Sequence, residues 1–166
     1  MWNTVIITMS DKASRGERED KSGPVIREIL ESAGAYSVTD MIIMPDEQCE
    51  LQDALVHYAD ETDADLILTT GGTGFSPRDI TPEATMAVAS RNVPGIAELM
   101  RYESLKITPK ACLSRAVSVI RGNTLIINLP GSPKAARENL EAILPALDHG
   151  LGILTGRDSE CAEPSK

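Results

Sequence analysis

The sequence is poor in the residues that build a zinc site, a disulfide framework or a membrane span. Its 166 residues include three cysteines and two histidines. The cysteines stand far apart with no CxxC pair, so zinc sites at the usual spacings are excluded and reduced thiols are expected. No apolar run approaches the roughly 18 residues that cross a bilayer, so we expect no membrane partner.

Positive charge is scarce as well. Sixteen Lys and Arg residues against twenty-five Asp and Glu residues give a formal net charge of −9. A surface of this sign repels a phosphate backbone, so we expect no nucleic-acid partner. The opening MWNTVIITMSD lacks the basic segment and long apolar stretch of a secretion signal, which favours a cytoplasmic protein.

Length and apolar patterns predict one α/β domain at residues 1–156, followed by a polar tail at residues 157–166. We predict strands over residues 4–9, 36–44 and 65–69, and a hairpin of residues 117–120 and 124–129. Helices are predicted over residues 23–33, 51–58, 82–89, 94–105 and 134–148, with Ser22 and Thr81 as N-caps. The strand and helix alternation implies a parallel sheet, which the hairpin makes mixed.

The stretch TTGGTGFSPRDITPEAT, residues 69–85, directly follows a buried strand, and its residues 71–79 are named the glycine loop here. Gly71, Gly72 and Gly74 let backbone N–H groups approach an anion, and the following helix adds its dipole, which favours phosphate. The chain has no GxxxxGKS or GxxxxGKT, and GGTGFSP lacks the third glycine of GxGxxG. For the glycines alone, a tight strand-to-helix turn is an equal alternative.

Loops at four strand ends are predicted to meet in one crevice, because ligands of open α/β sheets bind beyond the carboxyl ends of strands. They are residues 10–11, residues 45–46, the glycine loop and residues 129–132. Asp46 and Asp79 would face this crevice, where a bridging Mg²⁺ would relieve their repulsion of a phosphate ligand. Helix capping by either carboxylate is the alternative, and the two roles are compatible.

Three cations and one charged segment leave their roles open. Arg78, Arg115 and Lys134 are candidates for holding further phosphate oxygens, with a solvated surface position as the alternative for each. The charged residues 12–21 are expected either to order over a nucleotide or to remain solvated.

The motifs match one family almost end to end. They comprise Ser10-Asp11, Asp20 with Ser22-Gly23, Pro45-Asp46-Glu47, TTGGTG with RDxTPEAT, PGxAExMR at residues 94–101, LSR at residues 113–115 and NLPGSPKA at residues 128–135. This combination resembles the molybdenum cofactor biosynthesis proteins, and among them the molybdopterin adenylyltransferases of MogA/MoaB type. The more distant molybdate-inserting enzymes look like TSGGxSxG at this place, and competence-damage-type proteins look like TTGGLGPTxDD.

The resemblance implies a three-layer α/β/α fold and the transfer of AMP from ATP to the terminal phosphate of molybdopterin, with release of pyrophosphate. It implies that Asp46 and Asp79 are the essential acidic residues, catalytic and holding Mg²⁺. Positions that would bind substrate or cofactor are Asp11, Gly71, Gly72, Thr73, Gly74, Ser114, Arg115, Pro130, Gly131 and Ser132. Of these, Gly71 to Gly74 would hold the phosphate region, and residues 114–115 with 130–132 would form the pterin pocket.

The resemblance also implies partners, and it leaves two alternative functions. We expect a homotrimer, with the molybdate-inserting enzyme as a further partner. A non-catalytic molybdopterin-binding or scaffold protein would keep the pocket, but damaged acidic positions are expected there, whereas Asp46 and Asp79 are intact. Molybdate insertion or pyrophosphate-bond hydrolysis is disfavoured by the loop sequence and by the larger multidomain chains of those relatives.

Overall fold

The computed structural model describes residues 1–157, which contain one six-stranded sheet. The strands are β1 (Trp2–Met9), β2 (Tyr36–Met44), β3 (Leu66–Thr70), β4 (Arg91–Asn92), β5 (Ser118–Arg121) and β6 (Thr124–Leu129). Their order across the sheet is β2-β1-β3-β6-β5-β4. β2, β1, β3 and β6 are parallel, whereas β5 is antiparallel to β6 and β4, which confirms the predicted mostly parallel mixed sheet.

Helices cover both faces of this sheet. They are α1 (Asp11–Ser14), α2 (Ser22–Ala33), α3 (Gln48–Glu61), α4 (Thr81–Ala87), α5 (Pro94–Leu105) and α6 (Pro133–Thr155), and a 3₁₀ helix spans Pro109–Leu113. Side chains of α2, α5 and α6 pack on one face, and those of α3 and α4 pack on the other. The three-layer α/β/α architecture is therefore confirmed. No helix within the described residues is long and apolar enough to cross a membrane.

The central strands are apolar on both faces, because consecutive side chains of a strand point to opposite sides of the sheet. The core beneath α2, α5 and α6 takes one residue of each adjacent pair, namely Ile6, Leu68 and Ile127. The core beneath α3 and α4 takes the other, namely Ile7, Ile67 and Ile126. Burying each such side chain stabilises the fold by roughly 1.5–3 kcal/mol, so the same short strands support two cores.

Two predicted helix starts are wrong by one residue. Ser22 is the first residue of α2, and the Asp20 carboxylate accepts from the backbone N–H groups of Ser22 at 3.0 Å and Gly23 at 3.1 Å. Thr81 is likewise the first residue of α4, and its hydroxyl donates to the Gly71 carbonyl at 2.9 Å. In the first case a nearby carboxylate takes the capping bonds, and in the second a tertiary contact takes the hydroxyl.

The last helix is longer than predicted. The sequence pattern places its end near Asp148, but α6 continues to Thr155. Gly152 lowers the intrinsic helix propensity there, yet Leu147 and Leu151 are buried in the core. Packing of the apolar face therefore outweighs local propensity.

Arg157, which the sequence assigns to the polar tail, is held against the sheet. Its guanidinium donates to the buried Asp65 carboxylate at 3.1 Å and lies 4.8 Å from the centre of the Trp2 ring. The rest of the predicted tail, residues 158–166 with Cys161, lies outside the described residues. Cys49 and Cys112 are exposed free thiols.

A buried polar side chain fixes the end of β6 beside the loops. Asn128 is fully buried, and its amide nitrogen donates to the hydroxyls of Thr69 and Thr85, each at 2.9 Å. Its amide oxygen accepts from the Val117 N–H at 3.3 Å. Because Thr69 precedes the glycine loop and Thr85 follows it in α4, Asn128 holds both ends of the loop.

We therefore expect Asn128→Leu to destabilise the protein by about 2–4 kcal/mol, since the buried hydroxyls and the N–H group lose their partner. Urea unfolding followed by circular dichroism measures the change. The matched control is Asn123→Ala at the exposed hairpin turn, for which we expect a change within about 0.5 kcal/mol. Equal stability of the two variants would contradict the structural role of Asn128.

Candidate active site

The carboxyl ends of four parallel strands meet at one edge of the sheet, where β1, β2, β3 and β6 run into loops. A cavity of about 700 Å³, named the main cleft, opens there. It is lined by residues from all four loops and from the segment before α2, including Ser10, Arg18, Asp20, Lys21, Asp46, Gly71, Gly72, Asp79 and Gly131. The four loops therefore lie together at one cavity, as predicted.

A second cavity of about 300 Å³, named the side pocket, lies on the other side of the glycine loop. Its lining includes Thr73, Gly74, Ser114, Pro130, Arg101, Lys110 and Asn139. The residues predicted for one crevice thus divide between two cavities. Asp11, Arg115 and Ser132 line neither of them.

Two glycines of the loop make room for the two acidic residues. A Cβ atom on Gly72 would lie 2.3 Å from the Thr81 hydroxyl and 3.2 Å from Asp46 Oδ1. A Cβ atom on Gly74 would lie 2.8 Å from Asp79 Oδ2. The glycine cluster therefore does more than turn the chain, because its missing side chains let the loop backbone pack directly on both carboxylates.

The Asp46 carboxylate is held through one oxygen and left open at the other. Asp46 Oδ2 accepts from the Asp11 backbone N–H at 3.0 Å, and the Asp46 N–H donates back to Asp11 Oδ1 at 3.1 Å. Asp46 Oδ1 is buried and has no hydrogen-bond partner within residues 1–157. An orphaned carboxylate oxygen of this kind fits a bound cation or a donor supplied by a ligand.

The carboxyl pKa values of Asp46 and Asp11 are shifted in opposite directions. Burial raises the pKa of the Asp46 carboxyl above its ordinary value, and the nearby carboxylates of Asp11 and Asp79 raise it as well, while the Asp11 N–H and Arg78 oppose the shift. The hydrogen bond from Arg78 lowers the pKa of the Asp11 carboxyl. Asp11 is therefore the firmly ionised member, and Asp46 is the carboxylate that gains most from an added positive charge.

Asp79 is fixed within the glycine loop. Its Oδ2 accepts from the Ser76 N–H at 3.0 Å, and its own N–H donates to the Ser76 carbonyl at 2.9 Å. Neither α3 nor α4 has a side-chain cap, so neither Asp46 nor Asp79 caps these helices. The capping alternative is therefore excluded.

The predicted cations are engaged with the protein itself. Arg115 donates to the carbonyls of Gly74 at 2.6 Å and Asp79 at 2.7 Å, and it also donates to the Glu83 carboxylate. Arg115 thus fixes the glycine loop through the carbonyl groups of the loop. Arg78 pairs with Asp11 and Glu47, and the exposed Lys134 lies 3.8 Å from Glu138.

The sequence left open whether the charged residues 12–21 order over a nucleotide, and it did not single out the two cations of this segment that face the main cleft. Arg18 and Lys21 line it, and neither has an ion pair or hydrogen bond from its side chain to the described part of the chain. Asp20 lies between them and accepts from the Thr8 hydroxyl at 2.8 Å. The local sequence signal for this part of the cleft was the run Asp20-Lys21-Ser22-Gly23 before α2. It did not decide the role of the segment, because a solvated charged loop and one folded over a cleft have the same composition.

Metal binding at this site would rest on two carboxylates. Within residues 1–157, no group of three or more His, Cys, Asp and Glu side chains could hold a metal ion. Mg²⁺ suits such a sparse set, because it commonly binds through one or two carboxylates together with water and substrate phosphates. Asp46 and Asp79 therefore fit a Mg²⁺ ion that arrives with a nucleotide.

The chain is similar to known molybdopterin adenylyltransferases over most of its length. The family model described as a probable molybdopterin binding domain matches residues 5–149. A molybdopterin adenylyltransferase of Helicobacter pylori (strain J99) is 44% identical over 155 residues, which cover 91% of this chain and 86% of the relative. The molybdopterin adenylyltransferase of Escherichia coli K12 is 46% identical over 142 residues, which cover 85% of this chain and 73% of the relative.

A solved structure agrees with both the sequence match and the fold. The molybdopterin biosynthesis enzyme MoaB from Thermus thermophilus is 52% identical and superposes with a TM-score of 0.89. The alignment covers 94% of this chain and 98% of that one. The likeness therefore extends over the whole sheet and both helix layers.

The electrostatics of Asp46 predict a stability change that depends on pH. The pKa of Asp46 is raised in the folded state, so the protonated carboxyl favours folding. Its contribution to the free energy of unfolding is fully present below the pKa of about 4 in the unfolded chain, and it is lost as the pH rises through the pKa in the folded protein. Without divalent cations, Asp46→Asn should therefore melt at a higher temperature than the unsubstituted protein at pH 7, and the gap should narrow toward pH 4. Thermal unfolding in a chelating buffer across this range measures the gap.

The exposed Asp53 on α3 supplies the control, because Asp53→Asn removes the same charge without removing a half-buried carboxylate. We expect its melting curve to follow that of the unsubstituted protein. A gap for Asp46→Asn that stays constant with pH, or an equal gap for Asp53→Asn, would contradict the raised pKa of Asp46.

Proposed function

The chain belongs to the family of the probable molybdopterin binding domain, and from this membership we propose that it is a molybdopterin adenylyltransferase. The enzyme transfers AMP from ATP to the terminal phosphate of molybdopterin and releases pyrophosphate, which activates the pterin for molybdate insertion. The observation that carries the proposal is the meeting of Asp46 and Asp79 at a polar cleft beside the glycine loop, in a chain 44% identical to curated adenylyltransferases.

The reaction joins two anions and needs no protein nucleophile. An oxygen of the pterin phosphate forms a bond to the α-phosphorus of ATP, and the bond from that phosphorus to the bridging oxygen of pyrophosphate breaks. Catalysis of such a transfer consists of in-line placement and charge neutralisation. The loop N–H groups and the cations of the main cleft supply these functions.

The two cavities suggest how the substrates divide. In this proposal the main cleft holds the phosphates of ATP, with Arg18 and Lys21 offsetting their charge in an otherwise acidic chain. The side pocket, with Ser114 and Pro130 in its lining, holds the pterin. The glycine loop lies between the cavities, so its backbone is placed to contact the phosphate groups that react.

Mg²⁺ is part of the proposal because the acidic pair by itself would repel ATP. Asp46, through its unpartnered Oδ1, and Asp79 would hold the ion. When bound, Mg²⁺ supplies charge stabilisation on the phosphate oxygens and the leaving pyrophosphate. The backbone N–H groups of Asp11 and Ser76 hold one oxygen of each carboxylate, and Asp46 Oδ1 has no hydrogen-bond partner within residues 1–157.

The remaining parts concern assembly and place of action. We propose that the enzyme is a homotrimer, that it acts in the cytoplasm and that it passes its adenylylated product to a molybdate-inserting enzyme. Analytical ultracentrifugation checks the assembly, since a trimer has three times the 17.8 kDa mass of the chain. A sedimenting monomer would remove the trimer from the proposal without affecting the chemistry.

The decisive assay incubates the purified protein with molybdopterin and Mg·ATP and follows pyrophosphate together with adenylylated pterin. We expect pterin-dependent release of pyrophosphate. Asp79→Asn should lower the rate by about 10²- to 10³-fold, because a charge that stabilises the transition state is removed. Asp53→Asn, away from the cleft on α3, should keep the full rate.

Two outcomes would change the interpretation. Saturable pterin binding without any pyrophosphate release would identify a molybdopterin-binding or scaffold protein in place of an enzyme. Full activity of Asp79→Asn would leave the reaction in place but remove Asp79 from its mechanism.

A further inference from the structure

Arg78 joins the three segments that surround the acidic pair. Its Nε and Nη2 donate to the two carboxylate oxygens of Asp11 at 3.0 and 2.9 Å. Nη2 also donates to Glu47 Oε1 at 2.7 Å. The guanidinium therefore connects the glycine loop to the first residue of α1 and to the residue before α3.

The contact with Asp11 continues to Asp46. Asp11 Oδ1, which accepts from Arg78, also accepts from the Asp46 N–H at 3.1 Å. The Asp11 N–H in turn donates to Asp46 Oδ2 at 3.0 Å, which turns the unpartnered Oδ1 of Asp46 toward Gly72. The backbone N–H of Asp11 thus orients the Asp46 carboxylate, and the Asp11 carboxylate accepts two hydrogen bonds from Arg78.

Arg78 is also next to the residue that carries the other carboxylate, because Asp79 follows it directly in the chain. A side chain that reaches from Arg78 to Asp11 fixes the approach of the glycine loop to the segment that carries Asp46. One ion-pair network therefore links the segment that carries Asp79 to Asp11 and, through Asp11, to Asp46.

A role in global stability does not account for this network. The side chains of Arg78 and Glu47 are 52% and 50% exposed, and that of Asp11 is 25% exposed. Exposed ion pairs contribute little to the free energy of unfolding, because solvent screens them. A planar guanidinium is needed for the two parallel bonds to one carboxylate, however, and an ammonium group cannot form them.

We propose that Arg78 is a positioning residue that acts through Asp11 on Asp46 and presets the carboxylate pair for a divalent cation. A direct contact of Arg78 with substrate phosphate is the alternative role, and the two roles give different kinetics. The inference rests on the proposed adenylyl transfer only for its kinetic consequences. Cation binding tests it independently of turnover.

The experiment compares Arg78→Gln and Arg78→Lys with the unsubstituted protein. Titration with Mn²⁺ alone, followed by electron paramagnetic resonance, gives the cation affinity, and calorimetry in EDTA gives the affinity for metal-free ATP. We expect the Kd for Mn²⁺ to rise about 10- to 100-fold in both variants, as for other residues that orient metal ligands. The Kd for metal-free ATP should stay within about twofold, and kcat should fall while KM for ATP is unchanged.

The matched control is Arg27→Gln, which removes an equally exposed Arg27–Glu31 ion pair on α2, outside the lining of both cavities. It should leave the Mn²⁺ affinity and kcat unchanged, and thermal unfolding should show all variants folded.

Mn²⁺ affinity that is unaltered in Arg78→Gln, or absent from the unsubstituted protein, would overturn the proposal. Weaker binding of metal-free ATP with unchanged Mn²⁺ affinity would also overturn it, in favour of direct phosphate contact. A protein that binds Mn²⁺ as expected but transfers no AMP would refute the proposed function and leave this inference standing.

Discussion

Repulsion between like charges is the constraint on which the rest of this site depends. Asp46 and Asp79 face a cleft proposed for phosphates, in a chain with a net charge of −9. Two carboxylates in such a place would turn away from each other and toward solvent unless something held them. The protein holds Asp46 through the backbone of Asp11 and Asp79 through the backbone of Ser76, and it leaves Asp46 Oδ1 without a partner among the described residues.

The fold supplies this rigidity from the core outward. Parallel strands bring the loop ends to one edge of the sheet, and the buried amide of Asn128 holds β3 and α4 on either side of the glycine loop. Arg115 then binds the loop carbonyls from behind. These contacts hold the loop and with it the Asp79 carboxylate, and such placement by the protein is the preorganisation that charge stabilisation requires.

Local patterns predicted the elements well and the long-range contacts poorly. Strand 36–44 and helix 94–105 are confirmed to the residue, because apolar spacing, glycine and proline act locally. The partners of Arg78 were not predicted, since Asp11 lies 67 positions away and no spacing rule connects the two residues. The division into two cavities was missed for the same reason, because it follows from how the glycine loop packs in three dimensions. The glycines, Asp46 and Asp79 were first identified from the loops at strand ends, the pterin pocket came from the motif resemblance, and the roles of all these residues remain predictions.

We propose that the fold makes the open oxygen of Asp46 a ligand position for a cation. The most direct measurement is anomalous diffraction at the manganese edge, from crystals grown with Mn²⁺ and a non-hydrolysable ATP analogue. We expect an anomalous peak within coordination distance of Asp46 Oδ1 and of an Asp79 carboxylate oxygen. A cation bound only to the nucleotide, with Asp46 Oδ1 accepting a hydrogen bond from the ligand or from water, would contradict it.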